Sequence, residues 1–180
     1  KAGLVIGLAD RLDSLAGLFA AGLAPSGTKD PFARRRAALG LSQMLMAWDI
    51  DFDLSQGLAL AGDLLPLAFN DKVQNECVDF VSGRLRGLLL EQGYRFDVVD
   101  AVLSAQQCNP AGAARAIKQL SERVSKPDWA TLLPAYSRCV RITRDQKEVY
   151  NVNSATLSEA ADKELFQALV RVEGSKRQSA

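Results

Sequence analysis

The chain contains no histidine. That absence removes Ser-His-Asp triads, Cys-His dyads and His-ligated metal sites, and with them most general-base chemistry near neutral pH. The cysteines are few: Cys77, Cys108 and Cys139, widely spaced and with no CxxC pair. They suit reduced, buried thiols in a cytosolic protein better than a disulfide frame or a zinc site. No apolar run approaches the ~20 residues of a membrane span. There is no Gly-rich phosphate loop, no strand-like run and no internal repeat. The apolar opening Lys1 to Leu8 is cut by Asp10, Arg11 and Asp13, too early for a signal peptide. It carries no initiator Met and reads as the start of a piece cut from a longer chain. A net charge of +1 gives no overall basic field, so any nucleic-acid site must be a local patch. The expectation is a segment that performs no bond-making, holds no metal or cofactor of its own and enters no membrane.

What is present is a helical pattern. The 180 residues, 48% hydrophobic and 24% charged, suffice for one domain or two small ones with a real core. Residues 4–21 place Leu4, Leu8, Leu12, Leu15 and Phe19 on one helical stripe, with Asp10, Asp13 and Gly17 opposite. Two carboxylates without histidine are a poor transition-metal set, so Asp10 and Asp13 are read as ion-pair partners for a packed neighbour. Gly22 and the Ala24-Pro25-Ser26-Gly27 loop end this helix.

The stretch Asp30-Pro31-Phe32-Ala33-Arg34-Arg35-Arg36 poses a physical problem. Asp30 suits an N-cap and Pro31 the first helical position, so a helix is expected over 31–48. Three arginines then sit at the positive end of the helix dipole, where cations are disfavoured. Successive residues turn by ~100°, so the three cannot share one target. Arg34 falls on the stripe of Leu41 and Leu45 and is expected to be buried against Asp10 or Asp13. Arg35 and Arg36 flank Phe32 and are candidate phosphate contacts. Ala37, Met44 and Trp48 join the main apolar stripe, and Phe32, Leu39 and Met46 form a second.

Further apolar stretches follow over 54–65, 71–92, 96–106 and 110–124, with Asn70, Asn109 and Gly93 as end signals. Gly83-Arg84-Leu85-Arg86-Gly87 is a helical GxxxG that signifies close packing at most. Arg115, Lys118 and Arg123 are assigned to an exposed face. After Lys126-Pro127-Asp128, a helix with Trp129, Leu132, Leu133, Tyr136 and Val140 inward carries Arg138, Arg141 and Arg144 at spacings of three. That row is either an RNA-facing ridge or an ordinary solvated face. Thr156 to Glu159 has capping-box spacing before a helix bearing Leu165, Phe166, Leu169 and Val170, and a polar, disordered tail is expected over 174–180. The fold expectation is all-α, about seven helices in two packed subdomains, 1–69 and 70–180.

Five ordered segments carry a resemblance. Ala9-Asp10-Arg11-Leu12-Asp13-Ser14-Leu15, Asp30 to Ala38, Phe80 to Arg86, Gly93-Tyr94 with Asp100 to Leu103, and Asn151 to Leu157 resemble motifs of the β subunit of bacterial-type heterotetrameric glycyl-tRNA synthetase. The resemblance implies part of the machinery that esterifies glycine onto its tRNA with ATP and magnesium. In that family the catalytic α subunit carries the active site, the β subunit binds tRNA, and the assembly is α2β2 in the cytoplasm. It implies that 1–69 ends an HD-type helical domain and that Asp10 matches the last acidic position of its pattern. Residues 70–180 would begin a helical anticodon-binding (DALR-like) domain. The resemblance itself carries over Arg138 as an RNA contact; the tRNA-binding hypothesis adds phosphate contacts from Arg84, Arg115, Lys118, Arg141 and Arg144 and base stacking on Tyr136. The alternative is a helical scaffold that contacts the α subunit.

Overall fold

The computed structural model describes residues 2–23, 30, 32–148 and 151–178, with backbone alone for 175–178. The chain is all-α. The described residues form eight α-helices and one short 3₁₀ turn, without strands. The helices are α1 (Ala2–Ala20), α2 (Arg34–Ala47), α3 (Leu54–Asp63), α4 (Asp71–Glu91), α5 (Phe96–Gln106), α6 (Pro110–Val124), α7 (Trp129–Thr143) and α8 (Ala160–Gln178). No described helix is long and apolar enough to cross a membrane.

Compact packing divides the chain into residues 1–131 and 132–180. The compact units do not part at 69/70, and α4 belongs to two hydrophobic clusters at once. Its Cys77, Val78 and Val81 join Leu12, Leu15 and Phe19 of α1, Leu41 and Leu45 of α2, and Leu54 and Leu58 of α3. One turn on, Leu85 and Leu89 join Val99 and Val102 of α5 and Ala113 and Ile117 of α6. Backbone ties reinforce this, since the Leu54 amide donates to the Cys108 carbonyl at 2.9 Å. The Gln74 side chain donates to the Ser55 carbonyl at 2.9 Å and to its hydroxyl at 2.7 Å.

Local signals set most helix ends. Asn70 accepts from the Val73 amide and Asn109 from the Gly112 amide, as caps should. Gly22 and Gly93 take positive φ, 69° and 89°, and each closes a paired 6→1 and 5→2 bond pattern that satisfies the last carbonyls. Asp49 does the same after α2 at φ 49°, an uncommon but tolerated conformation for Asp.

The start of α2 departs from expectation. The helix begins at Arg34, with Ala33 as the flanking residue at φ 54°; Pro31 and the 24–27 loop lie outside the described residues. Asp30 still caps, but from further back, accepting the backbone N–H of Arg34 and of Arg35, each at 2.9 Å. Arg34 is buried, at 4% exposure, yet its acidic partner is Asp30 at 3.7 Å and not Asp10 or Asp13. Its guanidinium also lies 5.4 Å from the Phe32 ring centroid. Asp10 and Asp13 are exposed and make no ion pair among the described residues. The shared core of Leu12, Leu15, Leu41 and Leu45 joins α1 to α2, and beside it Arg11 of α1 donates to the Gly7 carbonyl of its own helix at 2.8 Å while its guanidinium lies over the bare backbone of Gly40. A Cβ added at Gly17 would sit 3.7 Å from Leu65, an ordinary contact.

Other inward assignments fail. Phe32 and Trp48 are more than half exposed. In the second unit Leu132, Leu133, Tyr136, Val140, Leu165, Leu169 and Val170 are exposed, and α7 buries no residue. The capping box does not form: Thr156 closes the 3₁₀ turn and its hydroxyl donates to the Asn153 carbonyl at 2.8 Å, while α8 starts at Ala160. The segment expected to be a disordered tail is helical through Gln178.

Burial disfavours ionisation of Asp30, but the amides of Arg35 and Arg34 and the charges of both arginines outweigh it and hold its carboxyl below the usual 3.8. Its stabilising contribution is therefore complete above pH ~4 and lost as pH falls through the lowered folded pKa. Asp30→Ala should cost about 1–3 kcal/mol, because a cap is lost and a buried guanidinium loses its countercharge. Urea unfolding of wild type and variant from pH 3 to pH 7 should show the gap closing at the acid end.

Candidate nucleic-acid interface

The basic residues divide by what neutralises them. Arg115 rises from the second turn of α6 and pairs with both Asp49 and Asp51 in the segment that follows α2. Asp51 also accepts from the Asn109 side chain at 2.7 Å. Those two side-chain bonds, from Asn109 and then Arg115, hold the Asp51 carboxyl below the ordinary range. Arg115 thus clamps the start of α6 to the end of α2, and the expectation that it presents free charge to RNA is corrected. Arg86 is spent on Asp100 at 2.6 Å, Arg123 on Asp128 at 2.7 Å and Arg95 on Asp97 at 2.6 Å.

Of the other candidates, Lys118, Arg138, Arg141 and Arg144 make no ion pair among the described residues. Lys118 is exposed one turn beyond Arg115 on α6. Arg138 and Arg141 are exposed one turn apart on α7, while the helix ends at Thr143 and leaves Arg144, also exposed, in the turn that follows, so the row expected from spacings of three is helical only over its first two members. Tyr136 is two-thirds exposed on the same helix. Pro134 lies inside α7, a feature the sequence reading passed over; as the sixth helical residue it removes one backbone donor without ending the helix.

The structure brings three other arginines together. Arg35 and Arg36 from the first turn of α2 and Arg84 from α4 line a groove of about 280 Å³, with Leu39, Leu88, Gly83, Gly87 and Glu91 completing its walls. The Arg84 guanidinium lies 5.5 Å from the Phe80 ring centroid, which restrains it. Sequence spacing alone did not join these residues, because their proximity depends on how α2 crosses α4. The GxxxG glycines do not serve helix packing, since a Cβ built on Gly83 or Gly87 meets nothing within 4 Å.

Two further features bear on function. An apolar groove of about 550 Å³ lies along α1 and α3, lined by Leu12, Phe52, Leu60 and Leu64 and edged by Asp10 and Asp13. Among the described residues no group of three or more acidic or cysteine side chains could hold a metal. Cys77 is buried, and desolvation pushes its thiol up to about 12, which makes it inert near neutral pH.

Comparison with known proteins adds a consistent finding. A family model described as glycyl-tRNA synthetase beta subunit matches residues 1–104. A glycine–tRNA ligase beta subunit from Moorella thermoacetica is 37% identical over 93% of this chain, and one from Acidovorax ebreus is 38% identical over 94%. A chloroplastic/mitochondrial glycine–tRNA ligase from Arabidopsis thaliana is 40% identical over 79%. The chain spans about a quarter of the length of the two bacterial relatives, 25% and 24%, and 13% of the plant one. The Arg115 clamp gives a structural prediction independent of these relatives. Arg115→Gln should speed amide exchange in the first turn of α6 modestly while α4 stays protected, as hydrogen-exchange mass spectrometry would read.

Proposed function

Because the chain belongs to the glycyl-tRNA synthetase beta subunit family, we propose that it is a tRNA-binding, non-catalytic part of a glycine–tRNA ligase. It supports the ATP-dependent attachment of glycine to its tRNA in the cytoplasm, with ATP and magnesium handled by the catalytic α subunit of an α2β2 assembly. The lack of histidine agrees with this division of labour. The observation that carries the RNA reading is the ridge formed by Arg138 and Arg141 on α7 and Arg144 in the turn after it, all exposed and without a carboxylate partner among the described residues. Guanidinium groups arranged so neutralise successive phosphates, and an exposed Tyr136 offers a face for an unstacked base. On this reading residues 1–69 end an HD-type helical domain and the later helices begin an anticodon-binding one.

Filter binding of tRNA by the full chain at several salt concentrations tests the ridge. Arg138→Glu with Arg141→Glu should weaken binding and flatten the log–log salt dependence by about 0.7–0.9 per lost phosphate contact. Unchanged affinity and slope would remove α7 from the interface.

A second reading, contact with the α subunit, is favoured by the apolar groove along α1 and α3. Leu60 is 68% and Leu64 86% exposed, an apolar patch of the sort that marks protein contacts. Leu60→Glu with Leu64→Glu should weaken α-subunit capture roughly tenfold or more, on the scale of losing two apolar anchors, while tRNA binding stays the same. Calorimetric titration of the α subunit into either form would decide, and equal affinities would sink this reading.

A further inference from the structure

We propose that the groove between α2 and α4 is a second RNA contact, a seat for backbone phosphodiester built by Arg36, Arg84 and the bare backbone at Gly83 and Gly87. The proposal rests on the tRNA-binding reading and deepens it, since it assigns a site in residues 1–131, away in sequence from the α7 ridge. Three observations converge on it.

The first is charge. Arg36 and Arg84 face one concavity whose lining holds a single carboxylate, Glu91. Arg36 makes no hydrogen bond or ion pair among the described residues, and Arg84 has only its contact with the Phe80 ring. Leu39 and Leu88 supply low-dielectric walls, which concentrate the potential of the arginines on whatever enters.

The second is the unexplained cost of the glycines. Each Gly in mid-helix is unfavourable by roughly 0.5–1 kcal/mol relative to Ala. Neither Gly83 nor Gly87 has the positive φ that would require glycine, and neither abuts a neighbour that would exclude a side chain. Both open onto the groove. With no side chain there, the helix backbone beside Arg84 is open to whatever enters the groove.

The third is local order. Asp30 fixes the first turn of α2 by accepting the amides of Arg34 and Arg35, so Arg35 and Arg36 are held on a defined helix. Phe80 restrains Arg84 in the same way. Cations whose positions are set in advance lose less entropy on binding than lysines on a loose surface. Planar guanidinium groups also suit the paired oxygens of a phosphodiester.

The test uses the full chain and tRNA across a salt series, with the α7 double variant measured alongside. Arg36→Ala and Arg84→Ala should each weaken binding about five- to tenfold and flatten the salt slope by about 0.7–0.9. Gly87→Gln leaves every charge in place and favours the helix, so it should fold at least as well, yet by filling the floor it should weaken binding as the arginine variants do. Glu91→Gln should strengthen binding. If Gly87→Gln and Arg84→Ala bind as wild type while the α7 variant is impaired, the groove is no phosphate seat and the ridge alone is the interface. If groove variants are impaired and the α7 variant is not, the groove stands and the ridge falls. If wild-type chain does not bind tRNA at any salt, both readings are wrong.

Discussion

The face of α4 that is apolar from end to end is the constraint on which the first unit depends. Cys77, Val78 and Val81 complete the core of α1, α2 and α3, while Leu85 and Leu89 complete that of α5 and α6. One 21-residue helix therefore joins what would otherwise be two small clusters, each too limited to be independently stable. The same helix carries Gly83, Arg84 and Gly87 on the side turned away from those cores. The functional candidates sit on the most thoroughly anchored element, so their positions are set by burial underneath them. A side chain held by such a scaffold recognises a ligand more selectively than one on a loose loop.

Elements whose signals are local were legible in the sequence. Asn70 and Asn109 cap where they stand, Gly93 ends α4, and the periodicity of Leu85, Leu89, Val99 and Ile117 predicts burial that the fold delivers. What escaped depends on geometry between elements. A helical wheel put Arg34 on a buried stripe, correctly, but could not say which acid would be near, and Asp30 was overlooked because it was assigned to the cap alone. It does both jobs, since a carboxylate behind the first turn accepts two amides and faces the guanidinium together. Arg11 was missed because the signal for it, a glycine on the opposing helix at Gly40, has meaning only once α1 and α2 are known to cross there.

The apolar stripes of α7 and α8 show the limit of periodicity more sharply. Leu132, Leu133, Leu165 and Leu169 recur as an inward face should, yet all are exposed among the described residues. An amphipathic pattern states that a face wants cover; it does not state that this stretch of chain supplies it. Family membership came through because it rests on ordered short motifs, which neither burial nor pairing needs to confirm. The site residues had no such support, and the arginines had to be sorted one at a time by their partners.

That sorting explains how a chain of net charge +1 can serve a polyanion. Aspartate, not glutamate, neutralises Arg34, Arg86, Arg95, Arg115 and Arg123, in each case over a few ångströms. Short pairs of this kind present little field beyond their own neighbourhood, because a paired charge is a dipole whose potential falls faster than that of a lone ion. Among the described cations that pair with no carboxylate are Arg36 and Arg84 in the α2/α4 groove, Arg138 and Arg141 on α7 and Arg144 just after it. With a Debye length of about 8 Å at physiological salt, each patch acts on what is directly before it and hardly at a distance. Recognition built this way gains little long-range steering from overall charge. It depends instead on the nucleic acid fitting each patch, and that makes the bare backbone at Gly83 and Gly87 as consequential as the arginines beside it.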